Sequence, residues 1–343
     1  NLPEGDYVFK VKAKNVVGKE SAIVEVPFTI LPPWYRAWWF YVLVIFFGIV
    51  ILYFLYLTRT KALRKRQEEL EQTVEERTAE LVKQKEVVEV AHKEITDSIN
   101  YAERIQRSFL ATDSMLDENL KDYFVFFQPK DVVSGDFYWA GHLDNGNFAV
   151  VNADSTGHGV PGAIMSILNI SSIEKAVEQG LSEPSEIFNE TRKTIIDRLK
   201  KDGSPEGGKD GMDASIVCFD FKNAKMIYTA ANNPIWVIRD KEIIQIKPDK
   251  IPVGKHDNDG VSFTQGEFEL KKGDQVYTLT DGYQDQFGGP KGKKFMIKKM
   301  REYVLSISHL SMKEQNQKIS KEFMDWKGDA EQVDDVCVIG VKF

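Results

Sequence analysis

The segment 150-VVNADSTGHGVPGA-163 decides how the rest of the chain is read. An apolar run, Phe148 to Val151, leads to Asp154; a Gly-rich turn follows, and Pro161 opens a helix. This is a strand, a tight turn and a helix N-terminus, with a carboxylate at the strand's mouth. A single Asp in that setting is an ordinary turn residue. Three other stretches repeat the arrangement. SGDFYW sets Asp136 ahead of an aromatic strand, VYTLTDGY sets Asp281 at the end of one, and QVDDVCVIGV sets Asp334 and Asp335 at the start of another. Acids at four strand ends, each beside Gly, Ser or a second acid, point to one shared site.

Around these motifs, residues 111–343 read as a domain of ordinary size. Strands are expected near 123–128, 136–140, 147–153, 214–220, 225–231, 235–239, 243–246, 262–269, 275–280 and 335–342. Helices are expected near 161–179, 184–201, 293–307 and 312–326. Strands meeting in hairpins, with helices in pairs, indicate an α+β layered sandwich rather than a parallel α/β sheet. The polar, Gly-rich segment 200–211 reads as a mobile loop bordering the site.

Clustered Asp side chains repel one another and partly protonate unless a cation neutralises them. The five histidines are scattered and no Cys/His ligand set exists, so all-oxygen ligation favours Mg²⁺ or Mn²⁺ over Zn²⁺. Two such ions lower the pKa of a bridging water and clamp the oxygens of a displacement at phosphorus. No GxxxxGK[ST] loop and no kinase-type glycine loop is present, so nucleotide-driven transfer has no support. Residues alone therefore reach metal-assisted hydrolysis, with a phosphate ester as the substrate class. Cys218 and Cys337 lie in apolar runs with no CxxC pattern and no basic neighbour, and read as buried packing residues. The net charge of −7 argues against a nucleic-acid partner.

Toward the N-terminus the chain changes character. Residues 1–33 alternate apolar and polar in two runs, GDYVFKVKAKN and AIVEVPFTI, as the last hairpin of a β-sandwich whose remainder lies upstream. Residues 34–58 follow as a transmembrane helix: from Ala37 to Leu57 no charge occurs, and at ~1.5 Å per residue the helix spans the ~30 Å hydrocarbon core. Trp34, Tyr35, Trp38 and Trp39 stand at one interface, and Arg59, Lys61, Arg64, Lys65 and Arg66 mark the other as cytoplasmic. A buried core helix is the alternative; length, apolarity and the basic flank favour a single pass through the inner membrane, N-terminal segment outside and phosphate chemistry inside. Residues 59–110 are charged and free of Gly and Pro, which favours helix. One heptad position reads Val74, Leu81, Val88, Ile95, Ala102, Phe109; its companion, Leu63, Leu70, Arg77, Gln84, Ala91, Ser98, Ile105, is broken by polar residues. This pattern predicts a parallel homodimeric coiled coil through 61–110, of modest stability and able to shift register; a solitary solvated helix is the alternative.

SGDFYW, ADSTGHGVPGA, the GMDASIVCFD strand, LTDGY and the terminal DDVCVIGV stand in the order found in metal-dependent protein phosphatases of type 2C. Over roughly 120–343 the sequence most resembles their bacterial sporulation-stage-II-protein-E branch. ITDSINYAERIQRSFLA resembles the switch helix that leads into such domains, and residues 1–57 resemble the end of a propeller-type membrane sensor. The resemblance implies an α-β-β-α sandwich and a dinuclear Mn²⁺ or Mg²⁺ centre. Its ligands would be Asp136, a bridging Asp154, the Ser155 main-chain carbonyl, Asp281 and Asp334; Asp136 and Asp154 would carry catalysis. Asp335 takes the neighbouring position, often Asn in relatives, as a supporting residue or as the alternative ligand to Asp334. Asp213 is a candidate for a further metal or a strand-capping residue, and His158 for an orienting or a structural hydrogen bond. No arginine in these motifs matches the phosphate-gripping Arg of eukaryotic relatives. The implied substrate is phosphoserine or phosphothreonine on a small partner protein of the anti-sigma-factor-antagonist kind. The competing reading is a non-enzymatic docking module that keeps the fold.

Overall fold

A computed structural model describes residues 2–199, 210–257 and 260–343. The chain divides into two compact units, Asn1–Val90 and Ala91–Phe343. In the first, β1 (Gly5–Val11) and β2 (Val24–Ile30) form an antiparallel hairpin. Tyr7 and Phe28, opposite one another, stack with ring centroids 5.7 Å apart. After a 3₁₀ turn at Trp34–Arg36 begins α1 (Trp38–Phe109), a single helix of 72 residues. It is long and apolar enough to cross a membrane, with a mean hydropathy of 2.7 over its most apolar window and none of that window buried. Among the described residues of α1 only Gln106 is buried.

Among the described residues, two large sheets build the second unit. The first has the order β11-β7-β6-β5-β4, built from β11 (Gly266–Glu269), β7 (Lys225–Ala231), β6 (Gly211–Asp220), β5 (Phe148–Ser155) and β4 (Asp136–His142), with β10 (Val253–Gly254) added beside β6. The second has the order β3-β15-β12-β8-β9, from β3 (Asp122–Gln128), β15 (Val336–Lys342), β12 (Gln275–Leu279), β8 (Ile235–Arg239) and β9 (Glu242–Ile246). The neighbours within each are antiparallel.

The period-2 alternation of the strands assigns each side chain to a layer. On β5, Ala149, Val151 and Ala153 pack under α3 (Gly159–Glu178) and α4 (Pro184–Leu199) with Ile170, Ile173, Ile187 and Phe188. Phe148 and Val150 point the other way, onto Val237, Val276, Ile339 and Val341 of the second sheet. On β15, Val336 and Val338 face the opposite helix layer, α6 (Ile297–Ile307) and α7 (Met312–Lys327), where Phe124, Trp236, Tyr277 and Phe323 are buried. The result is the four-layer α-β-β-α sandwich, with an apolar layer between the sheets. α7 is closed by a capping box of Ser311 and Glu314, which satisfies amides the helix cannot pair internally.

The structure departs from the expected elements where side chains compete for backbone groups. Residues 262–265 do not join the sheet: Phe263 N donates to Asn189 Oδ1 (3.2 Å) and Thr264 N to Asp249 Oδ2 (2.6 Å). β11 is therefore only four residues long. The helix expected from 293 starts at Ile297, because β14 (Lys293–Lys294) pairs with β13 (Phe287–Gly288) and Met296 takes a left-handed φ of 71°. α3 begins at Gly159, with Pro161 inside its first turn. A short helix, α2 (Asp113–Asn119), follows α1; Thr112 Oγ1 accepts from Met115 N at 3.3 Å and caps it. Most of the loop expected at 200–211 lies outside the described residues.

Candidate metal centre

Strand register places the first three acids in one row. Asp136 on β4 is directly opposite Asp154 on β5, and Asp154 is directly opposite Asp213 on β6. Cross-strand partners share a face, and by the alternation on β4, β5 and β6 that face looks toward the second sheet. The acids thus occupy the end of the inter-sheet layer, where its apolar filling stops. Two further acids come from the second sheet: Asp281 two residues past β12, at the N-terminus of α5 (Gly282–Asp285), and Asp334 two residues ahead of β15.

Asp136 is 1% exposed. Its Oδ2 accepts from Thr280 Oγ1 at 2.6 Å, and Thr280 Oγ1 in turn accepts from Cys337 N at 2.9 Å. One hydroxyl so links the first sheet's buried acid to two strands of the second sheet. Asp335 is also buried, and both its oxygens are taken: Oδ1 by the amide of Lys130 and Oδ2 by that of Gly135, each at 2.7 Å. It fixes the loop that delivers Asp136. Asp334 is only half-buried and lines the cavity; its Oδ1 accepts from Asp335 N at 2.9 Å.

The turn after Asp154 is held as closely. Ser155 N donates to Gly135 O (3.2 Å), and Asn169 Nδ2 donates to Ser155 Oγ (3.0 Å). Gly157 has φ 91° and its carbonyl presses on Gly135, where any Cβ would collide, so glycine is required at both. His158 turns toward Asp131, with Nδ1 3.5 Å from Oδ2, on the exposed surface. Asp213 is met by Asn232 Nδ2 at 2.8 Å, from the end of β7.

A cavity of about 640 Å³ opens over this row, lined among others by Asp154, Ser155, Gly157, Asp213, Lys250 and Asp334. Asp136 lies beneath it, and Asp281 stands at the exposed edge, outside the lining. The electrostatics nevertheless bind all of them into one system. Burial, then the Asp154 charge, pushes Asp136 well above the ordinary carboxylate range. Burial, then Asp281, Asp334 and Asp213, does the same to Asp154. Burial and the charges of Asp285 and Asp334 raise Asp281 to about 6. Asp213 and Asp335 are raised by burial and partly relieved, the first by Asn232 and Lys250, the second by its two amides.

Such carboxylates are tolerable near neutral pH only with added positive charge, and every donor is a hard oxygen, which fits Mg²⁺ or Mn²⁺. Among the described residues no three acidic, histidine or cysteine side chains close on a single point. An ion here would complete its shell with backbone oxygen and water, as the sparse side-chain set in the sequence implies. Cys218 and Cys337 are buried free thiols with raised pKa values, Cys337 first through burial and then through Asp136; neither has thiolate character. Thr280, Asn232 and Lys250 belong to the site and were not singled out in the sequence. Only Thr280 carried a signal there, as the hydroxyl residue preceding Asp281.

A family model described as stage II sporulation protein E (SpoIIE) matches residues 144–343. Among solved structures, the SiaA-PP2C domain of Pseudomonas aeruginosa is similar at 28% identity and a TM-score of 0.67, over 74% of this chain and 98% of that one. The PP2C phosphatase domain of SpoIIE from Bacillus subtilis, solved with a fragment of its regulatory domain, is 20% identical with a TM-score of 0.51, over 65% of this chain and 63% of that one. The RsbU and RsbW domains of a Mycobacterium tuberculosis protein are 18% identical with a TM-score of 0.50, over 64% and 59%. At those identities the last two bear on the fold alone. No curated protein sequence matches significantly.

Proposed function

This chain belongs to the stage II sporulation protein E family of type 2C phosphatase domains, and from that membership we propose that residues 111–343 hydrolyse phosphoserine or phosphothreonine on a partner protein. The observation that carries the proposal is the register row Asp136–Asp154–Asp213, met at the end of the inter-sheet layer by Asp281 and Asp334. In this reading Asp136, Asp154, the Ser155 carbonyl, Asp281 and Asp334 hold two divalent ions, and Asp213, met by Asn232, closes the row beside them. Bound there, the ions supply an activated water and neutralise charge on the phosphoryl group. The protein's own contribution is positioning. Thr280 holds the buried carboxylate of Asp136, Asp335 fixes the loop before it, and Gly157 brings the turn after Asp154 close. Cysteine chemistry has no part in it.

The substrate class proposed is a small phosphoprotein of the anti-sigma-factor-antagonist kind, in line with family membership. The setting proposed is a single-pass sensor of the inner membrane: residues 1–33 outside as the end of a β-sandwich, 34–58 crossing the lipid, and 59–110 forming a homodimeric coiled coil that governs the phosphatase. Gln106 supports the last step. This buried side chain of α1 donates to Ser134 O (2.5 Å) and Ser166 Oγ (2.7 Å) and accepts from Ser134 N (3.1 Å). Ser134 lies two residues before Asp136, so the helix touches the loop that delivers the acid.

The full chain in detergent, given a phosphoserine peptide, is expected to release phosphate only with Mn²⁺ or Mg²⁺. Asp154→Ala is expected to reduce that rate by at least about 10²-fold and to weaken Mn²⁺ binding by calorimetry. Wild-type activity in Asp154→Ala would remove the site assignment. A chain that binds no divalent ion and releases no phosphate would instead be the docking module.

A further inference from the structure

We propose that Lys250 anchors the substrate phosphoryl group, doing from a separate loop what no arginine in the acidic motifs can do. The assignment rests on the phosphatase reading and deepens it. Lys250 lines the same cavity as Asp154, Asp213 and Asp334.

Its backbone is fixed on both sides. Asp249 N donates to Ala230 O (2.9 Å) and Asp249 O accepts from Asn232 N (2.8 Å), a bridge to the end of β7. The Asp249 carboxylate is itself taken by Thr264 N. Three residues after Lys250, Val253 and Gly254 pair with Met212 and Gly211 at the start of β6. The loop is thus tied to the two strands that present Asp213 and Asn232, and Lys250 stands at a set place on the rim.

Its ammonium is exposed and, among the described residues, makes no hydrogen bond and no close ion pair. Lys255 and His256, the other basic side chains lining the cavity, are already engaged. A long, exposed lysine beside several carboxylates that pairs with none of them is available to a ligand.

Charge gives the reason such a residue is needed. The carboxylates of Asp136, Asp154, Asp213, Asp281, Asp334 and Asp335 outnumber the positive charges two divalent ions bring. A phosphomonoester carries roughly −1.5 to −2 near neutral pH and would meet a cup that is still negative. A lysine at the rim, acting as a point charge, offsets that repulsion and fixes which side the phosphoryl oxygens face.

The test uses the whole chain in detergent with Mn²⁺, a phosphoserine peptide as substrate and inorganic phosphate as competitor. Lys250→Ala is expected to raise KM for the peptide about tenfold, the scale of one lost charge-assisted hydrogen bond, and to weaken phosphate inhibition by the same factor. Lys250→Arg is expected to keep most of both, and Lys250→Glu to lose more than the alanine variant. Mn²⁺ affinity by calorimetry is expected to stay within about twofold of wild type in the alanine variant. Unchanged KM and phosphate inhibition in Lys250→Ala would overturn the anchor while leaving the phosphatase reading intact. A matching loss of Mn²⁺ affinity would overturn it as well, since the lysine would then be shaping the metal site. No Mn²⁺-dependent turnover in the wild type would sink the phosphatase reading and the anchor together.

Discussion

At Asp136 a fully buried carboxylate accepts from the hydroxyl of Thr280, and that hydroxyl accepts the amide of Cys337. Replacing Thr280 with valine keeps the shape and strips both bonds, leaving a buried acceptor and a buried donor without partners. Such losses cost about 1–3 kcal/mol each, so Thr280→Val is expected to lower the urea midpoint and weaken Mn²⁺ binding together. Unfolding followed by tryptophan fluorescence, with calorimetry beside it, checks both; an unchanged midpoint would mean the hydroxyl is not holding the acid. The acids themselves were legible because each sits at a strand end beside a residue that permits a turn. Sequence alone leaves Asp334 and Asp335 equivalent neighbours, whereas in the structure two backbone amides occupy Asp335 and Asp334 faces the cavity. Asn232 and Lys250 were not legible at all, because their place depends on loops returning from far along the chain.

Among the elements, α1 is the one whose length tests the proposed coupling. A helix turns about 100° per residue, so one residue inserted after Gln84 rotates Gln106 by that amount relative to the apolar positions upstream. The side chain would then leave Ser134 and Ser166 unless the seam slipped to compensate. If the proposed coupling holds, phosphate release by the full chain reconstituted in lipid vesicles changes with one inserted residue. It should return toward wild type with seven, which restore the phase to within about 20°. Equal output from all three lengths would count against coupling through the helix. The helix was readable from its composition, being without Pro and with its single glycine, Gly48, in the apolar stretch. The short α2 was readable in principle from Thr112 as a cap, and was missed because seven residues show too little period. The strand expected at 262–269 failed for a different reason: its alternation is real, but Asn189 and Asp249 offer its amides other acceptors.

In the second unit as a whole, the acids gather at the end of two sheets that otherwise meet mainly through apolar contact, with one buried hydrogen bond from Asn152 Nδ2 to Cys337 O (3.3 Å). Asp136, Asp154 and Asp213 come from one sheet, Asp281 and Asp334 from the ends of strands in the other. Without metal, this junction favours the protonated form. The unfolded chain releases these protons near the ordinary value of 3.8, whereas the folded chain holds the one on Asp281 until about 6 and those on Asp136 and Asp154 well above the ordinary value. Across that interval the folded state carries more protons than the unfolded one, so stability falls as pH rises. The metal-free chain in chelator is therefore expected to melt at a higher temperature at pH 5 than at pH 7.5. Mn²⁺ should act in the opposite sense, because ligation needs the deprotonated form. At about 100 times its dissociation constant it would add roughly 2.7 kcal/mol, with the larger gain in melting temperature at pH 7.5. Paired thermal melts at the two pH values, with chelator and with Mn²⁺, decide the matter. A metal-free melting temperature that does not fall toward pH 7.5 would mean that the acids do not share a site.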